Sequence, residues 1–174
     1  MIAKKELFAA LNQQIEFCLA ASYLYLQMTE WLEKKGLIEA GCLMRTRARE
    51  ETHTAMALFN HLLHGGIEIT LGRLAVNKRG FASGRELYRV FRRNEKLLES
   101  CARELKVLAL AAGDSRAWVL LNKSARGFAS DGRMERMLNA FDIANRRQGE
   151  KAGGSGGKFR HEAEVPEAAL REVS

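Results

Sequence analysis

The sequence predicts an all-α protein built as a four-helix bundle, with one long connection between its second and third helices. Proline occurs once among 174 residues, at Pro166, and hydrophobic residues make up 47% of the chain. Apolar residues recur at three- and four-residue spacing through most of residues 1–147, which indicates helices with one buried face. The length suits one domain over this range, followed by a Gly/Ser linker and C-terminal tail over residues 148–174.

The first helix is predicted over about residues 4–35. Lys34 and Lys35 suit its C-terminal end, and Gly36 suits the position after it. Its helical stripe consists of Leu7, Leu11, Ile15, Cys18, Leu19, Ser22, Tyr25 and Leu26.

The second helix is predicted over Ile38–His64, before a pair of glycines. At 100° per residue, Glu51 falls on its apolar face, whereas the E-x-x-H pair Glu50 and His53 falls roughly opposite. A carboxylate among core positions is unfavourable unless it is paired or bound to a metal. We therefore expect Glu51 to meet a partner inside the bundle and His53 to face solvent.

The connection that follows, residues 66–83, has no helical stripe over its eighteen residues. Ser83 and Glu86 form a capping box, so the third helix should start there and run to about Ala112. Eighteen extended residues reach about 60 Å, and the second helix is about 40 Å long. The third helix can therefore run parallel to the second. Two antiparallel hairpins joined by such a crossover are the ferritin-like topology.

The fourth helix should start at its N-cap, Asp114, and run to about Arg147. Gly127 and Gly132 weaken it locally, and the S-D-G string reads as a turn, so a break here would displace Asp131. In the tail, Val165–Val173 suits a short helix, and a disordered tail is an equally good interpretation of the sequence.

The composition restricts location and class. No stretch reaches 18 apolar residues, so no transmembrane helix is predicted. The N-terminal segment lacks the apolar core and cleavage site of a signal peptide. Three cysteines, widely spaced and odd in number, suit reduced thiols. Together these features predict a cytoplasmic protein.

The net charge of +7 lies entirely within residues 1–146, because residues 147–174 carry five basic and five acidic groups. One face of the third helix is notably basic. It can be a solvated outer face or can bind an anionic partner such as nucleic acid, phosphate or an acidic protein surface. It consists of Arg85, Arg89, Arg92 and Lys96, with Arg93 beside it.

Three stretches resemble the bacterial non-haem ferritins: LNQQIEFCLAASYLYLQMTEW, RAREETHTAMALFNHL and ELYRVFRRNEKLLESCARELKVLA. Asp131-Gly132, with the AGDS turn before it, is most similar to the ferritin B type, whose iron centre has diverged. The likeness covers roughly residues 5–146. It implies iron as cargo and a homo-oligomeric shell of 24 subunits.

The resemblance also implies where a ferroxidase centre would lie. Its ligand positions fall on Cys18, Glu51, Thr54, Glu95, Phe128 and Asp131, with Tyr25 beside them. The first iron position would keep only Glu51 and gain Cys18, so weak or no ferroxidase activity is expected. The second would keep three carboxylates: Glu51, Glu95 and Asp131.

Two interpretations of these residues stay open. Three carboxylates from three helices suit a hard cation such as iron or manganese, and a Cys18 thiolate beside Glu51 would favour zinc. Otherwise the site is vestigial, with carboxylates bonded to water, an arginine or Tyr25, and Cys18 is an inert buried side chain. Without a cation, one carboxylate should hold a proton or an arginine should lie among them.

Two functions follow. The first is iron storage or buffering by a ferritin-like protein with a partly lost oxidation centre. The alternative is a cage-like or oligomeric binding protein that uses its Arg-rich faces on nucleic acid or another anion. The absence of a single dense basic arm favours the first.

Overall fold

The computed structural model describes residues 2–72, 80–124 and 132–153, with side chains over 4–72, 80–122 and 132–147. These ranges contain helices and connecting segments but no strand. The helices are α1 (Ile2–Lys34), α2 (Ile38–His64), α3 (Gly84–Ala111), α4 (Ser115–Ser124) and α5 (Arg133–Gly153). The all-α fold class is confirmed, and α2 has the predicted bounds.

The end of α1 is set by Gly36. Its φ of +77° lies in the left-handed region, which suits a residue without a Cβ. The Leu37 N–H then donates to the Leu32 carbonyl at 2.9 Å, which satisfies a carbonyl of the last helical turn. The chain reverses within this short turn and enters α2.

Side-chain caps begin α3 and α4, as predicted. The Ser83 hydroxyl accepts a hydrogen bond from the Glu86 N–H at 3.1 Å, and the Glu86 carboxylate accepts one from the Ala82 N–H at 2.7 Å. At α4, the Asp114 carboxylate accepts from the Ala117 N–H at 2.9 Å. These bonds satisfy N–H groups that have no partner within the first turn of a helix.

The predicted fourth helix, from Asp114 to about Arg147, is divided into α4 and α5, which answers a question that the sequence left open. Gly132 has a φ of +63°, which no α-helical residue adopts, and α5 begins only at Arg133. Residues 125–131, which precede this break, lie outside the described residues. The break agrees with the turn character of the S-D-G string.

The first two helices form an antiparallel hairpin. The hydroxyls of Ser22 and Thr52 lie 2.8 Å apart, and the Thr29 hydroxyl donates to the Gly41 carbonyl at 3.4 Å. Positions later in α1 therefore meet positions earlier in α2.

The second and third helices run parallel, as the length of the crossover predicts. Arg47 Nη2 lies 2.7 Å from Glu95 Oε1, and His61 Nε2 lies 2.8 Å from Asp114 Oδ2, just after α3. Contacts that move towards the end of α2 thus also move towards the end of α3.

Both described ends of the crossover contact α1. The Asn12 side-chain amide donates to the Thr70 carbonyl at 2.6 Å, and its oxygen accepts from the Thr70 N–H at 3.1 Å. Further along, the rings of Trp31 and Phe81 pack edge to face with centroids 6.4 Å apart. The connection therefore starts near the first turns of α1 and finishes near its last turns.

The first part of α5 runs antiparallel to α3. The Asp142 carboxylate accepts hydrogen bonds from the backbone N–H groups of Gly84 and Arg85 at 3.0 and 2.9 Å. The Tyr88 hydroxyl donates to Glu135 at 3.0 Å. This pairing completes the four-helix arrangement.

The chain forms two compact units, residues 1–142 and 143–174. Of the second, the structure describes the helical residues 143–153, so the predicted boundary after residue 147 stays a prediction. The predicted tail helix Val165–Val173 lies outside the described residues. No described helix is long and apolar enough to span a membrane. The first unit contains the hydrophobic core, whose largest fully buried side chains include Tyr25, Phe91, Leu11, Ile15, Met28, Met44 and Leu58.

Candidate metal centre

Glu51 points into the bundle, as its helical phase predicts. It is 6% exposed, and burial raises the pKa of its carboxyl group because the charged form loses its hydration. The charge of Arg47, one turn earlier on α2, opposes this effect. Glu51 therefore needs a compensating charge within the bundle.

Glu95 projects from α3 into the same region, and its side chain is 10% exposed. The Tyr25 hydroxyl donates to Glu95 Oε1 at 2.5 Å, and the Asn94 side-chain amide donates to that hydroxyl at 2.8 Å. Burial, followed by the charge of Glu95, raises the pKa of Tyr25 above its usual value. Tyr25 thus stays protonated and serves as a hydrogen-bond donor to Glu95.

Arg47 lies between the two carboxylates. Its Nη2 donates to Glu51 Oε1 at 2.6 Å and to Glu95 Oε1 at 2.7 Å, while its Nη1 donates to Glu50 at 2.6 Å. Its guanidinium carbon also lies 5.8 Å from the centroid of the Tyr25 ring. The Glu51 carboxylate of α2 and the Glu95 carboxylate of α3 are therefore held together by the Arg47 guanidinium.

The Arg47 side chain is only 8% exposed. Burial alone would lower its pKa, but the charges of Glu95 and Glu51 outweigh burial and raise the pKa. Its Nε has no hydrogen-bond partner among the described residues. The sequence-based interpretation allowed for an arginine without identifying it. Its position, four residues before Glu51 and so on the same helical face, was the available signal.

Cys18, on α1, is fully buried. Burial and then the charge of Glu51 raise the pKa of its thiol well above the usual value. The Gln14 side-chain amide donates to its sulfur at 3.5 Å, and the Gln14 oxygen has no partner among the described residues. The thiol would therefore have to lose its proton before it could bind zinc, which binds the thiolate.

Thr54 is the one remaining ligand position that lies within the described residues. The Thr54 hydroxyl donates to the Glu50 carbonyl of its own helix at 3.0 Å. His53 is exposed and the Glu50 side chain is 50% exposed, which confirms that the E-x-x-H string faces away from the core. Phe128 and Asp131 lie outside the described residues. The structure therefore brings together Cys18, Tyr25, Glu51 and Glu95, around Arg47.

The described residues do not fit a di-iron centre. The inward oxygens of Glu51 and Glu95 already accept hydrogen bonds from Arg47, whose charge repels any metal cation placed beside it. Across the described ranges, no group of three or more His, Cys, Asp and Glu side chains is placed to hold a metal ion. The arrangement is an internal ion-pair network that a metal would have to displace.

Comparison with known proteins places this geometry in context. A sequence model described as a ferritin-like domain matches residues 8–125. No curated protein matches significantly.

Similar solved structures include three with identities of 23% or less, which show the fold alone. The open-pore ferritin of the hyperthermophilic archaeon Archaeoglobus fulgidus has 20% identity and a TM-score of 0.62, with 86% of this chain and 88% of that chain covered. Chlorobium tepidum ferritin has 23% identity and a TM-score of 0.63, covering 87% and 98%. A protein variant soaked in iron has 16% identity and a TM-score of 0.62, covering 87% and 93%.

Proposed function

The chain belongs to the ferritin-like domain family, and from this membership we propose that it binds and stores iron as a ferritin-like homo-oligomer with an inactivated oxidation centre. Iron binding and storage are the functions of the family. Two of the similar structures are ferritins, and a third is of a protein soaked in iron. The cytoplasmic location and the likeness to the ferritin B type stay predictions.

The observation that carries the proposed inactivation is the position of Arg47. Oxidation at a di-iron centre needs two metal ions held close together by anionic ligands. Here the two carboxylates that would bridge or flank such ions are bonded to a guanidinium at 2.6 and 2.7 Å. Arginine does not lose its proton in proteins, so a metal can enter only if this side chain leaves. Iron is therefore cargo for this protein and is not oxidised quickly inside the bundle.

Storage without rapid internal oxidation needs iron to collect elsewhere on the protein. By the family resemblance, the outward face of α2 lines the shell interior. Arg49, His53 and Met56 are exposed there, and Glu50 is half-exposed. This mixed face is less acidic than the family pattern, so we expect slow mineral growth and a modest iron load.

Anaerobic addition of Fe(II), followed by oxygen and gel filtration with metal analysis, tests the proposal. We expect iron to elute with the protein and its oxidation to proceed slowly, without an initial burst. A rapid burst would show that Arg47 does not block the centre. Protein that elutes without iron would rule out storage.

A variant series separates the arginine from the missing ligands. Cys18→Glu with Thr54→His restores the family residues, and we expect this pair alone to change the oxidation rate little. Adding Arg47→Gln should increase the rate, because it frees Glu51 and Glu95. His53→Ala, on the outward face, is the matched control. Equal acceleration with and without Arg47→Gln would contradict the proposed role of Arg47.

A further inference from the structure

A basic groove lies along the surface of α3, outside the internal network around Arg47. Its open volume is about 540 Å³. It is lined by Arg85, Tyr88, Arg89, Arg92, Arg93 and Lys96. We call this set the α3 groove.

The cations of the α3 groove are displayed to solvent. Arg85, Arg89, Arg93 and Lys96 are exposed, and none of them forms an ion pair with the part of the chain that the structure describes. Spacings of three and four residues place such side chains next to one another on a helix. Their like charges repel, and an anion bound across them would relieve the repulsion.

The two carboxylates within the span of the groove, Glu86 and Glu95, are directed elsewhere. Glu86 accepts a hydrogen bond from the Ala82 N–H at the helix start. Glu95, which precedes Lys96 in sequence, points inward to Arg47 at 2.7 Å. These contacts keep both acids in the cap and the core, so they do not neutralise the groove from within α3.

Two acidic residues of α5 near the groove also accept hydrogen bonds. Glu135 accepts the Tyr88 hydroxyl at 3.0 Å, and Asp142 accepts the N–H groups of Gly84 and Arg85 at the end of the groove. The Tyr88 hydroxyl is thereby turned towards α5, and its ring lies among the arginines. The groove thus offers a row of guanidinium groups around one aromatic ring.

We propose that the α3 groove binds the phosphodiester backbone of nucleic acid. From Arg85 to Lys96 the cations extend along about 16 Å of helix at 1.5 Å per residue. A DNA strand has one phosphate per 3.4 Å of helix axis, so this row faces about five phosphates. Guanidinium groups match phosphate oxygens in geometry and keep their charge at all physiological pH values.

The extended form of the groove favours a polyanion over a small phosphate ion. A site for one small anion encloses it with convergent donors, whereas this groove is open and its charges lie in a row along one helix. The contacts would be to backbone and not to base edges, so we expect binding without sequence preference.

Fluorescence anisotropy with a short labelled DNA duplex, over a salt series, tests the inference on the full chain. Contacts with about five phosphates predict a slope of about −4.5 for the logarithm of affinity against the logarithm of salt concentration. The double variant Arg89→Gln with Arg93→Gln should reduce the magnitude of that slope by about two. The single variant Arg93→Gln should reduce it by about one.

The matched control is Arg103→Gln with Lys106→Gln, which removes two charges from the same helix outside the groove. Its slope should equal that of the unaltered protein. An equal loss in control and groove variants would overturn the proposal, because binding would then follow net charge alone. Absence of duplex binding at low salt would also overturn it, as would tighter binding of poly-glutamate than of DNA. None of these readouts depends on iron storage.

Discussion

Arg47 has the most consequential position of any single residue in this protein. Its guanidinium is nearly excluded from water and bonds to carboxylates from two helices, α2 and α3. A buried ion pair is weak as a source of net stability, but removing one partner leaves an uncompensated charge in the interior. The residue therefore makes the fold dependent on a contact that also fills the expected metal position.

Replacing Arg47 with a neutral side chain should destabilise the fold. We expect Arg47→Met to lower the free energy of unfolding by about 3–5 kcal/mol, because Glu51 and Glu95 lose their cation while staying buried. Adding Glu51→Gln and Glu95→Gln should recover most of the loss. Urea unfolding measures both effects. Arg45→Gln, which breaks the exposed pair with Glu33, is the control and should change stability by less than about 1 kcal/mol.

The pairing of Glu51 with Arg47 also predicts how Glu51→Ala changes the melting temperature. If Glu51 faced only other carboxylates, its removal would relieve repulsion. Because it pairs with Arg47 at 2.6 Å, its removal should lower the melting temperature. A melting temperature that stays the same or rises would indicate that Arg47 does not hold Glu51 in solution.

The three cysteines should differ in reactivity. Cys42 is exposed, Cys101 is partly buried and Cys18 is fully buried. Burial raises the pKa of Cys101 and, more strongly, that of Cys18, so both hold less of the reactive thiolate. A thiol reagent should modify Cys42 first, Cys101 more slowly and Cys18 only after denaturation. Rapid modification of all three thiols in the native protein would contradict the burial of Cys18.

At the scale of elements, helix ends rather than helix centres set the path of the chain. Gly36 and Gly66 adopt positive φ values of +77° and +65° where α1 and α2 finish, and Ser83 caps α3. Asp114 has two roles, because its carboxylate caps α4 and also lies 2.8 Å from His61 at the end of α2. This residue joins three helix termini.

The cap at Asp114 should make stability depend on acid pH. Burial would raise the pKa of Asp114, but the Ala117 N–H and His61 outweigh burial and hold the pKa below its usual value. A pKa lower in the folded than in the unfolded protein gives stability that is present above about pH 4 and lost as the pH falls through the folded value. Unfolding in urea across this range should show the loss.

Two substitutions distinguish the titrating charge of Asp114 from its hydrogen bond as a helix cap. Asp114→Asn keeps a capping oxygen and should flatten the acid dependence. Asp114→Ala should in addition lower stability at neutral pH by about 1 kcal/mol, through loss of the cap. An unchanged acid profile in Asp114→Asn would assign the pH dependence to other carboxylates.

At the scale of the whole molecule, the crossover explains how the internal network is assembled. Because the connection starts near the first turns of α1 and ends near its last turns, α2 and α3 run parallel and place Arg47 beside Glu95. With a short connection, α3 would run antiparallel to α2, and these residues would lie at different heights. The topology therefore decides which charges meet in the core.

The ferritin-like fold predicts assembly. We expect light scattering after gel filtration to give a mass many times the 19.5 kDa of one chain, as the resemblance to 24-subunit shells implies. Exposed apolar side chains, among them Tyr23 and Leu26, provide surface for such contacts. A monomer at micromolar concentration would contradict the shell and, with it, storage inside one.

The sequence by itself determined the first three helices and the buried face of α2. The periodicity of α2 placed Glu51 inside and His53 outside, and both positions are confirmed. The length of the crossover predicted that α2 and α3 are parallel. These features follow from local geometry, since the rotation and rise per residue are the same in every α-helix.

Only the tertiary structure decided which charges meet. Arg47 and Glu95 are 48 positions apart, and their contact depends on the axial register and spacing of two helices, which periodicity does not specify. The tertiary structure also decided that the fourth helix is interrupted at Gly132, a question that the sequence left open. Burial makes an uncompensated charge unfavourable and so required some partner for Glu51. The packing of the bundle placed the Arg47 guanidinium in that position.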